Sequence, residues 1–435
     1  MTKRLFAGAA AAALMGLCAS PAVAADASLN FRMFGVSADP SVDAFYAARQ
    51  SAPVWLGAGQ DGSAARDLIA ILKRAQVEGL SEGPEIAAQA EAAMARAKNG
   101  DRTALVEADR LLSTGWVHYV QLLHRPAPGM TYAENGITPR TTSPQEILQL
   151  ASAAPSLDAH LRTVADVNPL YASIRDAAFA QFQATGVRPD PRILASLEQT
   201  RVFPAKGRYV VVDAASARLM MVQDGQTVDS MKVIVGKSDP STQTPMLASV
   251  IHYATLNPYW HVTPDLVRSL IAKNVLDQGV SYLKVRGYQV MSADGSGQIL
   301  DPATVDWHAV ADGSQQVKVR QLPGPANSMG RIKIGFANAS DIYLHDTPNK
   351  DLFAQDDRTL SHGCIRLEDA TRLGRWLMGR DPVTASSAPE QNVLLPGPVP
   401  IYVTYLTTRV DGGQLSFADD PYGRNSPAAL VASLR

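Results

Sequence analysis

The chain has 435 residues, enough for two or three domains and a sizeable core. Its 40 Lys and Arg against 41 Asp and Glu leave a formal net charge of −1. The composition therefore gives no ground for a nucleic-acid partner or for electrostatic attachment to a membrane.

At the N-terminus Lys3 and Arg4 precede an apolar run, Leu5 to Leu17, and then Ser20-Pro21-Ala22-Val23-Ala24. A basic start, an apolar stretch too short to span and an Ala-x-Ala site predict a cleavable export signal over 1–24. Met15-Gly16-Leu17 is a poor lipidation box for Cys18. Cleavage leaves Cys364 as the last cysteine, with no internal partner for a disulfide, in a compartment that oxidises free thiols. Retaining it calls for a reason, and catalysis is the simplest. No later apolar run approaches membrane-spanning length, so the expectation is a soluble periplasmic protein with no transmembrane segment after signal cleavage.

From Asp26 to about Thr200 the pattern is helical. Leu68, Ile71, Leu72 and Ala75 share one face of an expected helix over 64–79, and Pro84 to Lys98 is an alanine-rich helix closed by Asn99-Gly100. Asp101 reads as the cap of the next helix, with Leu105, Ala108, Leu111 and Leu112 as its stripe. Leu112 to Leu123, with Trp116, Tyr119 and Leu122, continues the helical pattern up to the break at Pro126-Ala127-Pro128-Gly129. Ser143-Pro144 opens another, and Pro169 to Thr185 another still. His118, His124 and His160 read as ordinary helix or surface histidines.

The texture changes at Gly207. Arg208 to Asp213 and Leu219 to Val222 are β-rich, and Asp224-Gly225 predicts a hairpin turn into Val228 to Val235. Further strands are expected over 248–256, 330–336, 341–345 and 399–407, mostly with antiparallel connections. A helical segment interrupts them between Thr263 and Val290. The stretch 292–328 reads as a long loop, of the kind that forms lids or binding loops. No internal repeat is visible.

The residues that carry chemistry lie between Ile342 and Arg366. His345 is borne on an alternating strand, Cys364 on a Ser-His-Gly-Cys turn, and His362 stands two positions before the cysteine. A thiol needs a nearby base to act as a nucleophile near neutral pH, and imidazole is the usual one. The other readings are a small buried hydrophobe and half of a metal site. One cysteine and two histidines without paired Cys-x-x-Cys or His-x-x-x-His spacing disfavour the metal.

These residues, with Tyr209-Val210-Val211-Val212, Met231 to Lys237, Thr244-Pro245, Asn257-Pro258-Tyr259-Trp260, Pro323-Gly324-Pro325, Gly330 to Lys333, Ile342 to Pro348 and Ser361 to Arg366, resemble the L,D-transpeptidases (YkuD-type catalytic domain) that remodel peptidoglycan. The likeness is to their larger Gram-negative branch and covers about Leu194 to Tyr422. It implies an α+β fold: a helical N-terminal scaffold domain over 25–200, then a mostly antiparallel, β-sandwich-like catalytic domain over 201–435, with a helical and loop capping insertion at about 263–328. The small peptidoglycan-binding module usual in that branch has too little chain here, between Arg188 and Ile193, so targeting is expected to rest on the catalytic cleft.

The resemblance also implies a two-step acyl transfer. Cys364 attacks a tetrapeptide stem at its diaminopimelate–D-alanine bond, releasing D-alanine and leaving a thioester. His345 holds Cys364 as thiolate, protonates the leaving amine and deprotonates the acceptor. The backbone carbonyl of Asp346 orients His345. The N–H groups of Gly363 and Cys364 and the Tyr343 hydroxyl are candidate oxyanion donors. His362 shapes the turn, while Arg366, Trp260 and Ser361 are candidates for binding substrate. The expected partners are stem peptides, a tetrapeptide donor and a diaminopimelate acceptor giving 3→3 cross-links, and cell-wall synthesis proteins. No metal or organic cofactor is implied. Water or a lipoprotein lysine as acceptor makes the same site a carboxypeptidase or an anchoring enzyme. An inactive wall-binding scaffold does not account for an intact His345–Cys364 pair, and a papain-like order of Cys before His is the reverse of this one.

Overall fold

The structure, a computed structural model, describes residues 40–57, 62–382 and 388–425; the expected export signal lies outside them. From residue 39 onward the chain is one compact unit.

Eight helices open it: α1 (Pro40–Ala48), α2 (Ser63–Arg74), α3 (Gly83–Lys98), α4 (Arg102–Leu123), α5 (Pro144–Ala153), α6 (Leu157–Ala165), α7 (Pro169–Thr185) and α8 (Pro191–Thr200). Their starts follow local chemistry. Asp101 accepts from the N–H groups of Thr103 and Ala104, Ser143 from that of Glu146, and Asn168 from that of Tyr171. The helical pattern through Leu112 to Leu123 continues that of Leu105 to Leu112, and α4 runs unbroken. Two buried carboxylates tie the helices together. Asp109 accepts from the N–H groups of Val54, Trp55 and Leu56 and from the Tyr46 hydroxyl. Glu78 accepts from the hydroxyls of Tyr119 and Tyr171, at 2.8 and 2.7 Å.

The strands that follow are numbered from a short one inside the helical region: β1 (Thr131–Tyr132), β2 (Arg208–Asp213), β3 (Arg218–Gln223), β4 (Gln226–Gly236), β5 (Leu247–Leu256), β6 (Trp260–Val262), β7 (Tyr288–Ser292), β8 (Val317–Gln321), β9 (Ile332–Gly335), β10 (Leu344–His345), β11 (Thr359–Ser361), β12 (Ile365–Leu367), β13 (Gln391–Thr404), β14 (Thr408–Asp411) and β15 (Gln414–Phe417). The main sheet closes on itself in the order β5–β13–β2–β3–β4–β12–β10–β9 and back to β5. It is antiparallel around this ring except at β13–β2 and β12–β10. The β2–β3 and β3–β4 hairpins follow from the sequence. Asp224 and Gly225 both take positive φ, 50° and 77°, as a type I′ turn requires.

The ring encloses a core that includes Val210, Leu219, Val233, Ile251, Ile334, Leu344, Ile365 and Val403, with the helix Ala370–Met378 contributing Leu373 and Leu377. The outer face of β2, β5 and β13 is covered from the helical region, where Ala127, Met130 and Phe203 pack on Tyr209, Val211, Ala248 and Tyr402. Gln199 of α8 exchanges two hydrogen bonds with the backbone of Tyr405, at 2.7 and 3.2 Å, which fixes the helices to the end of β13.

The stretch 292–328 is not the structureless loop its composition suggested. It holds a helix, Trp307–Asp312, and β8, which pairs with β6 and β7 in a three-stranded sheet. Val262, Ile271, Leu283, Val290, Trp307 and Val319 give this cap its own core. The alternation Val317, Val319, Gln321 was the strand signal, masked by the Gly- and Pro-rich flanks. β13 starts eight residues earlier than expected because Pro396-Gly397-Pro398 is absorbed as an irregularity between Leu394 and Val399.

Candidate active site

The parallel pairing of β10 with β12 sets the site. It places Leu344 opposite Ile365 and His345 opposite Arg366. On its other side, β10 puts His345 opposite Lys333 of β9. Side chains of directly paired residues share a face, so Lys333, His345 and Arg366 form one row across the sheet, away from the core side chains Ile334, Leu344 and Ile365. One step back along the strands, Cys364 falls beside Tyr343. The hydroxyl and backbone N–H of Tyr343 both hydrogen-bond to the cysteine.

His345 is only 3% exposed. Its Nδ1–H donates to the Asp346 carbonyl at 2.6 Å, which leaves Nε2 as the basic nitrogen. A second carbonyl, of Ser328 at the end of the cap, also faces the ring. Among the described residues His345 and Cys364 make no hydrogen bond to each other. Burial, with the Arg366 charge second, pushes the imidazole down to about 4. Burial pushes the thiol up from its ordinary value, against Tyr343, Lys333 and Arg366, which favour the thiolate. Burial thus disfavours charge on both groups, and Tyr343, Lys333 and Arg366 oppose it at the thiol.

The turn carrying Cys364 is built by groups other than His362. Ser361 Oγ donates to the Cys364 carbonyl at 2.6 Å and accepts the Gly363 N–H at 3.1 Å. Thr244 Oγ1 donates to the Gly363 carbonyl at 2.8 Å, and Tyr422 Oη bonds the Gly236 carbonyl just behind it. Gly363 has φ 109°, a conformation open to glycine alone at little cost. Three candidates change role as a result. The Gly363 N–H is spent on Ser361, so the Cys364 N–H is the backbone donor left, with the Tyr343 hydroxyl already lying against the thiol where an oxyanion would form. Ser361, 2% exposed, braces the turn and does not face a substrate. His362 is exposed, and burial with the nearby Lys237 and Arg366 charges lowers its pKa. Trp260 sits in β6 and packs on Tyr288 in the cap core, with ring centroids 6.1 Å apart. Arg366 is mostly buried, and among the described residues its guanidinium has no ion pair; burial pushes its pKa down. It is a cation in want of an anion.

Two stretches of the chain match known domain families. Residues 207–384 match the model of the YkuD L,D-transpeptidase catalytic domain, and residues 40–177 match that of the Scaffold domain. Residues 207–384 belong to the L,D-transpeptidase catalytic-domain family. Among curated proteins it is 25% identical over 397 residues to a Haemophilus influenzae protein named "Putative L,D-transpeptidase", covering 88% of this chain and 78% of that one. Among solved structures, the L,D-transpeptidase from Mycobacterium smegmatis matches at 16% identity over 45% of this chain and 58% of that one, with a TM-score of 0.23. L,D-transpeptidase 3 from Mycobacterium tuberculosis, in complex with a faropenem-derived adduct, matches at 12% identity over 46% and 60%, with a TM-score of 0.21. Overlays scoring this low assign no role to any residue of the site.

In this L,D-transpeptidase domain the Asp346 carboxylate is not the third member of a triad. It accepts the Arg331 N–H at 2.9 Å and the Lys350 ammonium at 2.8 Å. Lys350 donates in turn to the carbonyls of Leu367 and Glu368, at 3.1 and 2.7 Å. One ion pair thus clamps the histidine strand, the exit of the cap and the far end of the cysteine strand. Gly330 fits under it because it has φ 58° and because a Cβ there would overlap the Asp346 side chain. Asp346→Asn is expected to slow acylation about tenfold by loosening this alignment, with little change in KM. Single-turnover kinetics checks it, and an unchanged rate would show that the clamp has no part in alignment.

Sequence reasoning missed the clamp's Lys350 and the bracing Thr244 and Tyr422. It also missed Gln321 and Asn327, buried polar residues that hold the loop carrying Ser328 by bonds such as Ser328 N–H to Gln321 Oε1 at 2.9 Å. Burial of polar side chains has no local sequence signature.

The depressed imidazole has a consequence for stability. His345 titrates near 6.5 when unfolded and near 4 when folded, so between these values the unfolded chain binds the extra proton. Its contribution is complete above about pH 6.5 and falls away toward pH 4, by up to about 3 kcal/mol. Denaturant unfolding at pH 4 to 7 is expected to show this slope in the wild type and a shallower one in His345→Gln. Equal slopes would contradict the burial.

Proposed function

We propose that this protein is a periplasmic peptidoglycan L,D-transpeptidase that forms 3→3 cross-links by way of a Cys364 acyl-enzyme. The observation that carries the reading is the parallel register of β10 and β12. It seats the thiol against Tyr343 and next to a histidine whose Nδ1 is tied to a backbone carbonyl.

The chemistry follows from these groups. The substrate carbonyl enters beside Tyr343, and Cys364 Sγ attacks it as the thiol proton passes to His345 Nε2. The developing oxyanion meets the Cys364 N–H and the Tyr343 hydroxyl. His345 then gives its proton to the leaving amine of D-alanine, leaving a thioester and a neutral imidazole. The unpaired Arg366 guanidinium is suited to a carboxylate of the donor stem, desolvated with it. In the second step an acceptor amine, that of another diaminopimelate, attacks the thioester.

Incubating the purified protein with disaccharide-tetrapeptide and resolving the products by mass spectrometry tests this. A 3→3 dimer with free D-alanine is expected. Tripeptide without dimer would make the protein an L,D-carboxypeptidase, and no product at all would overturn the enzymatic reading.

A further inference from the structure

After the hairpin β14–β15 the chain returns to the nucleophile. Residues 418–425, outside the stretch that matches the catalytic-domain family, lie against the loop 236–244 between β4 and β5. This loop backs the Cys364 turn. The Lys237 N–H donates to the Ser361 carbonyl at 3.0 Å, and Thr244 Oγ1 donates to the Gly363 carbonyl at 2.8 Å.

Two side chains of 418–425 hold the loop. Tyr422 Oη donates to the Gly236 carbonyl at 2.7 Å and accepts the Thr244 N–H at 3.4 Å, so one hydroxyl joins the loop's two ends. The Gly236 N–H donates in turn to Thr244 Oγ1 at 2.9 Å. Arg424 donates to Gln243 Oε1 and to the Thr244 carbonyl, at 2.9 and 3.0 Å. Thr244 and Tyr422 are both buried, where hydrogen bonds are stronger than in water. The segment has a firm footing of its own. The Tyr422 ring stacks on Tyr405, with centroids 5.2 Å apart and planes 14° from parallel, and the Arg424 guanidinium lies 4.8 Å from its centre. Tyr405 Oη accepts the Tyr422 N–H at 2.7 Å and donates to Asp420 at 2.5 Å. The backbone of the same Tyr405 is what Gln199 of α8 holds.

We propose that Tyr422 is a positioning residue for acyl transfer, fixing the Cys364 turn to the body of the domain through Thr244. The inference rests on the transpeptidase reading and extends it to what aligns the nucleophile. The Tyr422 hydroxyl sets Thr244, the Thr244 hydroxyl sets the Gly363 carbonyl, and the turn so held keeps the thiol against Tyr343. Ser361 braces the turn from within. Tyr422 stops it from moving, as a unit, away from β10. Misplacing a reacting atom by about 1 Å can cost about 10²-fold in rate, so a loosened turn is felt at the thiol.

The test compares full-length variants in their acylation by a carbapenem. Tyr422→Phe keeps the ring and its stack on Tyr405 and removes only the hydroxyl. Its maximal acylation rate is expected to fall about tenfold, with the half-saturating concentration unchanged within about twofold. Thr244→Val exchanges a hydroxyl for a methyl and should lose as much, while Thr244→Ser keeps the hydroxyl and the rate. The double variant Tyr422→Phe/Thr244→Val should be no slower than either single one, because the two groups act in series. A wild-type rate in Tyr422→Phe, or losses that multiply in the double variant, overturns the proposal. A second measurement does not need the protein to be a transpeptidase: alkylation of Cys364 by iodoacetamide, followed from about pH 6 to 10 by intact mass. Tyr343 favours the thiolate, so a thiol drawn away from it should alkylate with a midpoint higher by about half a unit or more in Tyr422→Phe. A wild type that no carbapenem acylates would count against the transpeptidase reading alone, and the alkylation midpoints would then judge Tyr422. Equal midpoints overturn its role.

Discussion

Cys364→Ala is expected to abolish D-alanine release, and His345→Gln to lower it by about 10²–10⁴-fold. The first removes the sulfur that holds the acyl group; the second leaves it without a base. Burial raises the thiol pKa, so proton removal during attack falls to a local base. His345→Gln keeps a hydrogen-bonding side chain near the Asp346 carbonyl but cannot shuttle a proton. Stopped-flow acylation by a carbapenem, with circular dichroism to show that both variants fold, checks the pair. Retention of most of the wild-type rate in His345→Gln would remove the histidine from the mechanism.

Asp109→Ala is expected to destabilise the helical region by about 4 kcal/mol, the largest effect expected of a single residue far from the site. The carboxylate is 1% exposed and accepts three consecutive N–H groups, of Val54, Trp55 and Leu56, at 2.8–2.9 Å, as well as the Tyr46 hydroxyl. Truncation leaves the three N–H groups without their acceptor, at about 1–3 kcal/mol each before water partly compensates, while the Tyr46 hydroxyl keeps Ser113 Oγ and the Asp109 carbonyl. Ser113, which meets the Tyr46 hydroxyl and Trp55 Nε1 in the same cluster, offers a control. Ser113→Ala strands fewer groups and should cost about 1 kcal/mol. Equilibrium denaturation of the two variants checks the difference, and similar midpoints would contradict it.

Much of this architecture was legible because local rules carried it. Asp101 and Ser143 announce their helices, and Asp224-Gly225 announces its hairpin. The nineteen-residue spacing of His345 and Cys364 survives as two adjacent strands. What escaped depends on long-range pairing. The closure of the sheet through β5 and β9 joins strands some eighty residues apart, and no periodicity reports it. The short β10 and β12 are strands by virtue of their neighbours, with two and three residues each. The cap was misread because its turns dominate its composition while its core is spread over Val262 to Val319. In the candidate site, Cys364 and His345 stood out by residue type and spacing. Their burial did not, since it depends on the packing around them. Nor were the second roles of Asp346 and Ser361, which appear only once Lys350, Arg331 and the Cys364 carbonyl are brought to them.

The central claim is a covalent one, and intact-protein mass spectrometry tests it most directly. Wild type mixed briefly with disaccharide-tetrapeptide and quenched in acid should gain the mass of the stem less D-alanine, and peptide mapping should place the addition on Cys364. The Cys364→Ala protein should gain nothing. Product formation with no adduct on the wild type, or an adduct that persists in Cys364→Ala, would contradict the acyl-enzyme.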